Sequence, residues 1–221
     1  MVYFDRRQAQ YQEKYILNPP THTKIEIEKV ISYIPSNLMQ VTDFGAGTGR
    51  FTIPLLKLFK VKAIDVSRKS LLLLQQTARK MKLGEKLSIG TKLGKSKMIV
   101  GGDILHHIDI SQYFPLFFQN LEKGGGIVFS EPNGWNLFWY WLIFSGLDWK
   151  EEKGITRINF VNVRKQLKLA GFKEIKIEGL GILPGPLCLN NAILCRLNYW
   201  LGSWPLVKFF AYRLIIRARK N

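Results

Sequence analysis

Short apolar runs alternate with amphipathic segments along most of the chain. The apolar runs predict strands at residues 40–43, 61–65, 86–91, 98–103, 127–130, 174–178 and 209–217, and the amphipathic segments predict helices at residues 49–59, 67–82, 111–121 and 161–169. Ser67 suits the N-cap of the second helix, and Gly171 suits a left-handed residue after the last one. Strands that alternate with helices predict an α/β sheet with crossover helices.

Two longer apolar segments do not fit this alternation. Residues 132–147 carry no charge, and residues 183–207 are mostly apolar but are interrupted by Arg196. Both fall short of the roughly 20 uninterrupted apolar residues that a membrane span needs. All six tryptophans lie between Trp135 and Trp204. They indicate either aromatic packing under a cap or a surface where apolar rings meet water.

The length and composition are those of a single globular domain. The chain has 221 residues, of which 47% are hydrophobic and 22% are charged, which excludes disordered and fibrous classes. We divide it into an N-terminal helical lid (residues 1–37), a core (38–180) with an aromatic insert near residues 132–150, and an apolar, basic C-terminal segment (181–221) that holds the last strand. A polar start, with Cys188 and Cys195 as the only cysteines, predicts a cytoplasmic protein with buried thiols.

Basic residues exceed acidic residues by 17, and the excess is uneven. Residues 41–100 hold 13 basic and 3 acidic side chains (+10), residues 181–221 hold 6 basic and none acidic (+6), and the rest hold 14 and 13 (+1). Such an excess favours an anionic partner, either nucleic acid or an acidic membrane surface. A generally lysine-rich composition that serves solubility is the simpler alternative.

A glycine-rich loop follows the first predicted strand. Its sequence, Asp43-Phe44-Gly45-Ala46-Gly47-Thr48-Gly49, has the spacing G-x-G-x-G, with an acid two residues before the first glycine. Glycines at a strand–helix junction let the backbone approach a ligand where a side chain would collide. The dinucleotide-binding spacing G-x-G-x-x-G is not met, because Arg50 stands at its third glycine position.

This loop, together with Asp65 at the end of the second predicted strand, resembles the class I S-adenosylmethionine-dependent methyltransferases. Three later segments are similar to motifs of the same family: residues 100–108, which contain Leu105-His106-His107, residues 121–133 around a run of three glycines, and residues 167–172, which end in Ala170-Gly171-Phe172. The resemblance covers roughly residues 40–178. It implies a Rossmann-like methyltransferase fold, with a seven-stranded, mostly parallel sheet, an antiparallel last strand and helices on both faces.

The resemblance also implies S-adenosylmethionine as the cofactor. The residues that it assigns to cofactor binding are Asp43, Phe44, Gly45, Ala46, Gly47, Gly49, Asp65, Val66 and Asp103. Asp65 is expected to accept both ribose hydroxyls, since an ionised carboxylate only accepts hydrogen bonds. One part of the family pattern is missing, because residues 87–97 include no acid for the adenine amino group. A backbone carbonyl, Ser88, Thr91 or apolar contacts alone are the alternatives.

The candidate catalytic residues follow the fourth and fifth predicted strands. His106, His107 and Glu131 are expected at the carboxyl edge of the sheet, where ligands bind in open α/β folds. Histidine titrates near neutral pH and is the natural base. We expect His107 to face the cleft while His106 packs or caps, and capping is also the alternative role of Glu131. No metal-ligand set is predicted. Three N-terminal tyrosines are candidates for covering the site: Tyr3, Tyr11 and Tyr15.

The acceptor is predicted to be a small molecule or a lipid-like molecule, because the tryptophan-rich insert and the basic, apolar C-terminal segment suit an apolar acceptor beside an anionic membrane surface. Nucleic acid is the less favoured partner. The sequence Asn18-Pro19-Pro20-Thr21 lacks both the aromatic residue and the position of the motif found in nucleic-acid amino methyltransferases. Two alternatives stay open: an RNA methyltransferase that uses the basic surface, and a non-catalytic module that only binds the cofactor.

Overall fold

A computed structural model describes residues 13–146 and 148–221, and these contain a seven-stranded sheet. The strands are β1 (Gln40–Phe44), β2 (Lys60–Ile64), β3 (Leu87–Gly90), β4 (Ser96–Gly102), β5 (Leu121–Pro132), β6 (Lys173–Leu180) and β7 (Arg213–Arg219). Their order across the sheet is β3-β2-β1-β4-β5-β7-β6. The pairs among β1 to β5 are parallel, whereas β7 runs antiparallel to both β5 and β6. The predicted mostly parallel sheet with an antiparallel last strand is confirmed.

Helices cover both faces of this sheet. They are α1 (Glu13–Leu17), α2 (Thr21–Ile31), α3 (Thr52–Leu56), α4 (Arg68–Lys80), α5 (Ile110–Asn120), α6 (Leu137–Gly146), α7 (Trp149–Glu152), α8 (Phe160–Leu169) and α9 (Ala192–Gly202). One core packs α2, α3, α4 and Tyr199 of α9 against Val41, Val61 and Val128. A second core packs α5 and α8 against the opposite face of β4, β5 and β7. Burial on both faces explains why these strands are almost continuously apolar.

Local capping signals place several helix ends. The Ser67 hydroxyl accepts a hydrogen bond from the Ser70 backbone N–H at the start of α4, as an N-cap should. Gly171 has a φ of +94° just after α8, which a residue with a side chain rarely adopts. Both predictions are confirmed, since Ser67 caps the N-terminus of α4 and Gly171 follows the C-terminus of α8.

Three boundaries differ from the sequence prediction. The helix predicted at residues 49–59 is reduced to α3, which contains Pro54 and follows the loop ended by Gly49. The strand predicted at residues 127–130 is longer, because β5 begins at Leu121 and includes the glycine run 124–126, and its pairing with β4 shifts register between Ser96 and Met98. The last strand begins at Arg213 rather than at residue 209, because residues 207–210 form a 3₁₀ turn.

The aromatic insert and the C-terminal segment are helical between their strands. The insert contributes α6 and α7, and the C-terminal segment contributes α9. No helix in the described part of the chain combines the length and the apolar character needed to cross a membrane. Within the N-terminal region, α1 and α2 are described, and Tyr15 is exposed. Tyr3 and Tyr11 lie outside the described residues.

Candidate functional site

A cavity of about 880 Å³ opens at the carboxyl edge of the sheet. Its wall is formed by the segments that follow four strands: residues 44–48 and 50 after β1, 64–66 after β2, 91–93 after β3, and 102–104 and 106–108 after β4. Other wall residues are Tyr113, Leu116, Pro132, Trp139 and Glu152. The strand order reverses between β1 and β4, and such a reversal is where open α/β sheets bind ligands.

The glycine loop is folded against the end of β2. The backbone N–H groups of Gly45 and Ala46 donate to the carbonyl oxygen of Ile64, at 2.8 and 3.0 Å. Gly47 has a φ of +50°, and an added Cβ would meet no atom within 4 Å. Because Gly47 lines the cavity, a side chain there would occupy ligand space.

Asp65 links the two loops beside the cavity. Its Oδ2 accepts a hydrogen bond from the Gly47 backbone N–H at 2.7 Å, and its Oδ1 accepts one from the Ser67 backbone N–H at 2.8 Å. An ionised carboxylate offers about four acceptor positions. Two hydrogen bonds therefore leave acceptor capacity on both oxygens, which suits a pair of neighbouring hydroxyl groups on a ligand.

Seven of the nine predicted cofactor residues line the cavity: Phe44, Gly45, Ala46, Gly47, Asp65, Val66 and Asp103. Asp43 and Gly49 do not, and the expectation of direct ligand contact is corrected for both. Asp43 is buried beneath the loop, where its Oδ2 accepts a hydrogen bond from the Thr52 hydroxyl at 2.5 Å. Gly49 has a φ of +106°, and an added Cβ would collide with Leu74 of α4, so this glycine serves close packing.

The pKa of Asp43 reflects its position. Burial raises it to about 7, against the lowering effect of the hydrogen bond from Thr52. Since Asp43 sits at the end of β1 and Thr52 is the first residue of α3, this bond ties strand and helix across the glycine loop. Asp43 therefore supports the loop from below.

Asp103 belongs to an ionic cluster at the base of the cavity. It pairs with Arg50 and accepts a hydrogen bond from Arg213 at 2.6 Å. Both arginines also reach Glu26 of α2, Arg50 at 2.5 Å and Arg213 at 3.0 Å. Burial would raise the pKa of Asp103, but the charges of Arg213 and Arg50 hold it well below its usual range. Asp103 thus reaches the cavity wall as an ion already neutralised by arginine.

Glu131 is completely buried and lies behind the cavity wall rather than in it. Its Oε1 accepts hydrogen bonds from the backbone N–H groups of Ile104 and Leu105, at 2.8 and 3.0 Å. Its Oε2 lies 2.9 Å from Nδ1 of His106. The expectation that Glu131 approaches the cleft as a catalytic group is therefore corrected, because its carboxylate instead holds the loop after β4.

His106 lines the cavity but is held between two carboxylates. Its Nδ1 faces Glu131, and its Nε2 lies 3.3 Å from Oε2 of Glu152. Burial alone would lower the pKa of His106, but the hydrogen bonds to Glu131 and Glu152 raise it to about 9. At neutral pH this side chain is an imidazolium, and it cannot accept a proton as a base.

His107 is half-buried and lines the same cavity. Its Nδ1 lies 3.2 Å from the backbone carbonyl oxygen of Glu151. A carbonyl oxygen only accepts, so the hydrogen of the neutral ring lies on Nδ1 and the lone pair on Nε2. Burial, together with the charge on neighbouring His106, lowers the pKa of His107 below 6.5. His107 is therefore a neutral imidazole at neutral pH.

The ligand atoms of His106, His107 and Glu152 lie within 4.8 Å of one another, as in many metal sites. Within this cluster, Nε2 of His106 lies 3.3 Å from Oε2 of Glu152, and the hydrogen bonds of His106 to carboxylates raise its pKa.

A second cavity, of about 420 Å³, lies on the other side of the ionic cluster. Arg50 lines both cavities, and Arg213 and Glu26 line the second. The rest of its wall comes from the N-terminal and C-terminal regions, and consists of Tyr15, Ile16, Pro20, His22, Thr23, Gly185, Pro186, Tyr199 and Tyr212.

Sequence reasoning missed several wall residues, for two reasons. Lys92 and Leu93 follow Thr91 after β3. Their position beside a cofactor loop is the feature of the sequence that could have identified them. Glu152 and Trp139 come from the aromatic insert, whose path over the site follows from packing between distant segments. Ser88, a candidate for adenine binding, is not among the cavity residues, whereas Thr91 is.

No protein-family model and no curated protein sequence matches the chain. Among solved structures, a possible histamine N-methyltransferase from Thermotoga maritima superposes with a TM-score of 0.67 at 16% identity, over 99% of each chain. Geranyl diphosphate C-methyltransferase from Streptomyces coelicolor, in complex with Mg²⁺, geranyl diphosphate and S-adenosyl-L-homocysteine, has a TM-score of 0.66 at 13% identity, over 90% of this chain and 79% of that one.

A third solved structure is phosphoethanolamine N-methyltransferase 2 from Haemonchus contortus, in complex with phosphomonomethylethanolamine and S-adenosylhomocysteine. It has a TM-score of 0.63 at 13% identity, over 88% of this chain and 52% of that one. All three similarities are at low identity and extend over most of this chain. The chain therefore has the Rossmann-like fold of the S-adenosylmethionine-dependent methyltransferases.

Proposed function

We propose that this protein is an S-adenosylmethionine-dependent methyltransferase. The observation that carries the proposal is the arrangement of the glycine loop and Asp65 at the reversal point of a methyltransferase-like sheet. A cavity of about 880 Å³ is within the range of sites for small molecules and cofactors. The low-identity structural neighbours include methyltransferases bound to the demethylated cofactor.

The residues of the cavity fit this cofactor chemically. The open space beside Gly47 admits a ligand close to the backbone, and Asp65 has acceptor capacity for two ribose hydroxyls. Thr91 and Leu93 would meet the adenine through polar and apolar contacts in place of the missing acid. The cofactor supplies a methyl group on a sulfonium cation, and the carboxylate of Asp65 in the wall is compatible with that positive charge.

We propose a small-molecule or lipid-like acceptor. Leu116, Pro132 and Trp139 contribute apolar surface to the wall of the cavity. His107 would take the proton from an acceptor group, and His106 and Glu131 would hold the loop that positions it. Geranyl diphosphate and phosphomonomethylethanolamine, bound to the two neighbours, are small molecules that combine an organic part with phosphate.

We further propose that the protein works in the cytoplasm, at an anionic membrane surface. The net charge of +17 supports this placement. RNA is the second candidate partner, and the surplus of 10 positive charges in residues 41–100 is its support. A module without catalysis is less favoured, because His107 stands in the cavity as a neutral imidazole.

Replacing Asp65 with alanine is expected to weaken binding of S-adenosylmethionine by roughly 2–4 kcal/mol, or about 30- to 900-fold in Kd. Two charge-assisted hydrogen bonds to the ribose would be lost. Titration calorimetry with the cofactor and its demethylated product measures the effect, with a nicotinamide dinucleotide as a ligand expected not to bind. Asp148→Ala is the control, because Asp148 also accepts a backbone hydrogen bond two residues along the chain. Equal affinity in Asp65→Ala and the parent would contradict the assignment.

Filling the space at Gly47 is expected to weaken cofactor binding by at least about tenfold. Gly47→Asn is the sharper variant, since asparagine tolerates positive φ and keeps backbone strain small. Gly47→Val adds strain to the same obstruction. Calorimetry on folded protein, checked by circular dichroism, gives the result. Undiminished affinity in Gly47→Asn would show that the cofactor lies elsewhere.

The acceptor class is tested with radiolabelled cofactor and fractions of a cell extract. Lipid, aqueous small-molecule and RNA fractions are incubated separately with the enzyme and with the His107→Ala variant. Label transferred to lipid or small molecules supports the proposal. Label found only in RNA would replace it with the RNA alternative.

A further inference from the structure

Helix α9 turns its more apolar side outward. Ile193, Leu197, Trp200 and Trp204 follow one another at helical spacing on and just after the helix, and their exposed fractions are 76%, 49%, 57% and 44%. The side that packs against the protein consists of small or polar residues instead: Cys195, Asn198, Tyr199 and Gly202. A surface helix of a soluble protein normally buries its apolar stripe, so this orientation calls for an apolar environment outside.

The exposed apolar area continues beyond α9. Leu206 and Phe210 follow the helix and are exposed, at 81% and 61%. The ring of Trp135, from the aromatic insert, lies 6.5 Å from the ring of Phe210, centre to centre. We define the outer surface of α9 as Ile193, Leu197, Trp200, Trp204, Leu206, Phe210 and Trp135. Its tryptophans have the amphipathic rings that favour the interface between lipid and water.

The charges within the C-terminal segment that carries this surface are all of one sign. Residues 181–221 contain no acidic side chain. Arg196 is exposed on α9 itself, and Lys208 lies between Leu206 and Phe210. Positive charge beside an apolar, tryptophan-bearing helix matches the chemistry of an anionic lipid bilayer, in which apolar groups enter the acyl region and basic groups stay at the headgroups.

We infer that the outer surface of α9 docks on an anionic lipid bilayer, with the helix lying in the interface. The second cavity is next to it, because Tyr199 of α9 and the preceding Gly185 and Pro186 line that cavity. Arg50 in turn separates the second cavity from the larger one. Docking there would hold the enzyme at the membrane that contains a lipid-like acceptor. This use of the bilayer rests on the proposed function, whereas binding to it does not.

A second copy of the chain is the competing occupant of an exposed apolar face. The charges argue against it, since two such surfaces would bring Arg196 and Lys208 of both copies together without an acid from residues 181–221. Like charges placed together in this way oppose self-association. An anionic bilayer has the opposite charge and favours binding.

The test is sedimentation with lipid vesicles at about 0.05 M and about 0.5 M salt, which differ in screening length. Vesicles of phosphatidylcholine with phosphatidylglycerol are compared with vesicles of phosphatidylcholine alone. The double variant Ile193→Ser/Trp200→Ser is expected to lose at least about tenfold in affinity for the mixed vesicles. Leu72→Ser/Leu169→Ser is the matched control, since both leucines are exposed, at 55% and 72%, on other helices. Its vesicle binding should equal that of the parent.

Arg196→Gln gives the electrostatic arm of the test. It is expected to weaken binding to the mixed vesicles about fivefold, and to leave binding to neutral vesicles unchanged. Cofactor affinity, measured by calorimetry without vesicles, should be unaffected in all of these variants, so a failure of docking is distinct from a failure of the methyltransferase assignment. Absence of vesicle binding by the parent at low salt would overturn the inference. So would unchanged binding of the Ile193→Ser/Trp200→Ser variant, or a parent dimer that this variant converts to a monomer without any vesicle binding.

Discussion

Replacing His107 with alanine is expected to lower turnover by about 10²–10⁴-fold while leaving cofactor affinity unchanged. His107 lines the large cavity, and its Nδ1 is oriented by the carbonyl oxygen of Glu151. With the hydrogen on Nδ1, Nε2 is the ring nitrogen that would take a proton from an acceptor. The adjacent His106 is excluded from this role because its pKa is raised to about 9 by Glu131 and Glu152.

The pH dependence of the rate tests the same assignment. The pKa of His107 is lowered from 6.5 by burial and by the charge of His106. A base works only when deprotonated, so the rate should be retained as pH falls to 6.5 and be lost below it. His107→Gln separates the roles, because glutamine can orient an acceptor but cannot take its proton. A raised KM with normal kcat in this variant would indicate orientation instead of proton transfer.

The opposite result, in which His107→Ala keeps its turnover, would also have a definite meaning. Near-normal turnover of His107→Ala on the identified acceptor would mean that no side-chain base operates in the cavity. The enzyme would then act by alignment of the acceptor, or on an acceptor already deprotonated. Glu131→Gln helps to decide, because Glu131 contacts the loop after β4 and not the cavity. If Glu131→Gln loses both activity and stability, we would conclude that Glu131 acts by holding His106 in position.

The parts of the fold that could be predicted depend on local signals. Three such signals are the glycine loop after β1, the N-cap at Ser67 and the left-handed Gly171. Each one determines the backbone conformation of only a few neighbouring residues. Their backbone consequences therefore follow from sequence alone. The family resemblance of the motifs then implies the seven-stranded, mostly parallel sheet with an antiparallel last strand, which the structure confirms.

The assignments that failed depend on distant contacts. Asp43 and Gly49 belong to the loop motif, but Thr52 and Leu74 decide that both serve the core instead of the ligand. Glu131 is turned away from the cavity by backbone N–H groups 27 and 26 residues before it. The spacing of residues along the sequence does not indicate on which side of a strand end such distant partners lie.

The α9 region shows a different limit. Hydrophobic periodicity indicates which residues share a helix face, but not which face meets the protein. Cys195 and Tyr199 occupy the inner face because Tyr199 donates its hydroxyl hydrogen to the carbonyl oxygen of His22, 2.8 Å away on α2. Asn198 accepts hydrogen bonds from the backbone N–H groups of Ile182 and Leu183. These polar contacts hold the apolar stripe outward, which composition alone does not predict.

The ionic cluster beneath the cavity was also beyond local signals, and it leads to the largest expected effect on stability. Arg213 on β7 donates to Ser130 and to Asp103, and pairs with Glu26, which lies 187 positions earlier in the chain. Burial would lower the pKa of Arg213, but Asp103 and Glu26 hold it above its usual value. The guanidinium therefore stays charged inside the protein.

Replacing Arg213 with methionine is expected to lower the free energy of unfolding by about 3–5 kcal/mol, because Glu26 and Asp103 would each lose a buried cationic partner. Arg219→Met is the matched control. Arg219 lies on the same strand, but it is exposed and 3.8 Å from Glu174, so its replacement should cost about 1 kcal/mol or less. Chemical denaturation of both variants gives the comparison. Adding Glu26→Gln to Arg213→Met should recover part of the lost stability, since it removes one of the two carboxylates that would then share Arg50 alone. Equal stabilities of Arg213→Met and Arg219→Met would contradict the view that this cluster holds β7, β5 and α2 together at the base of the site.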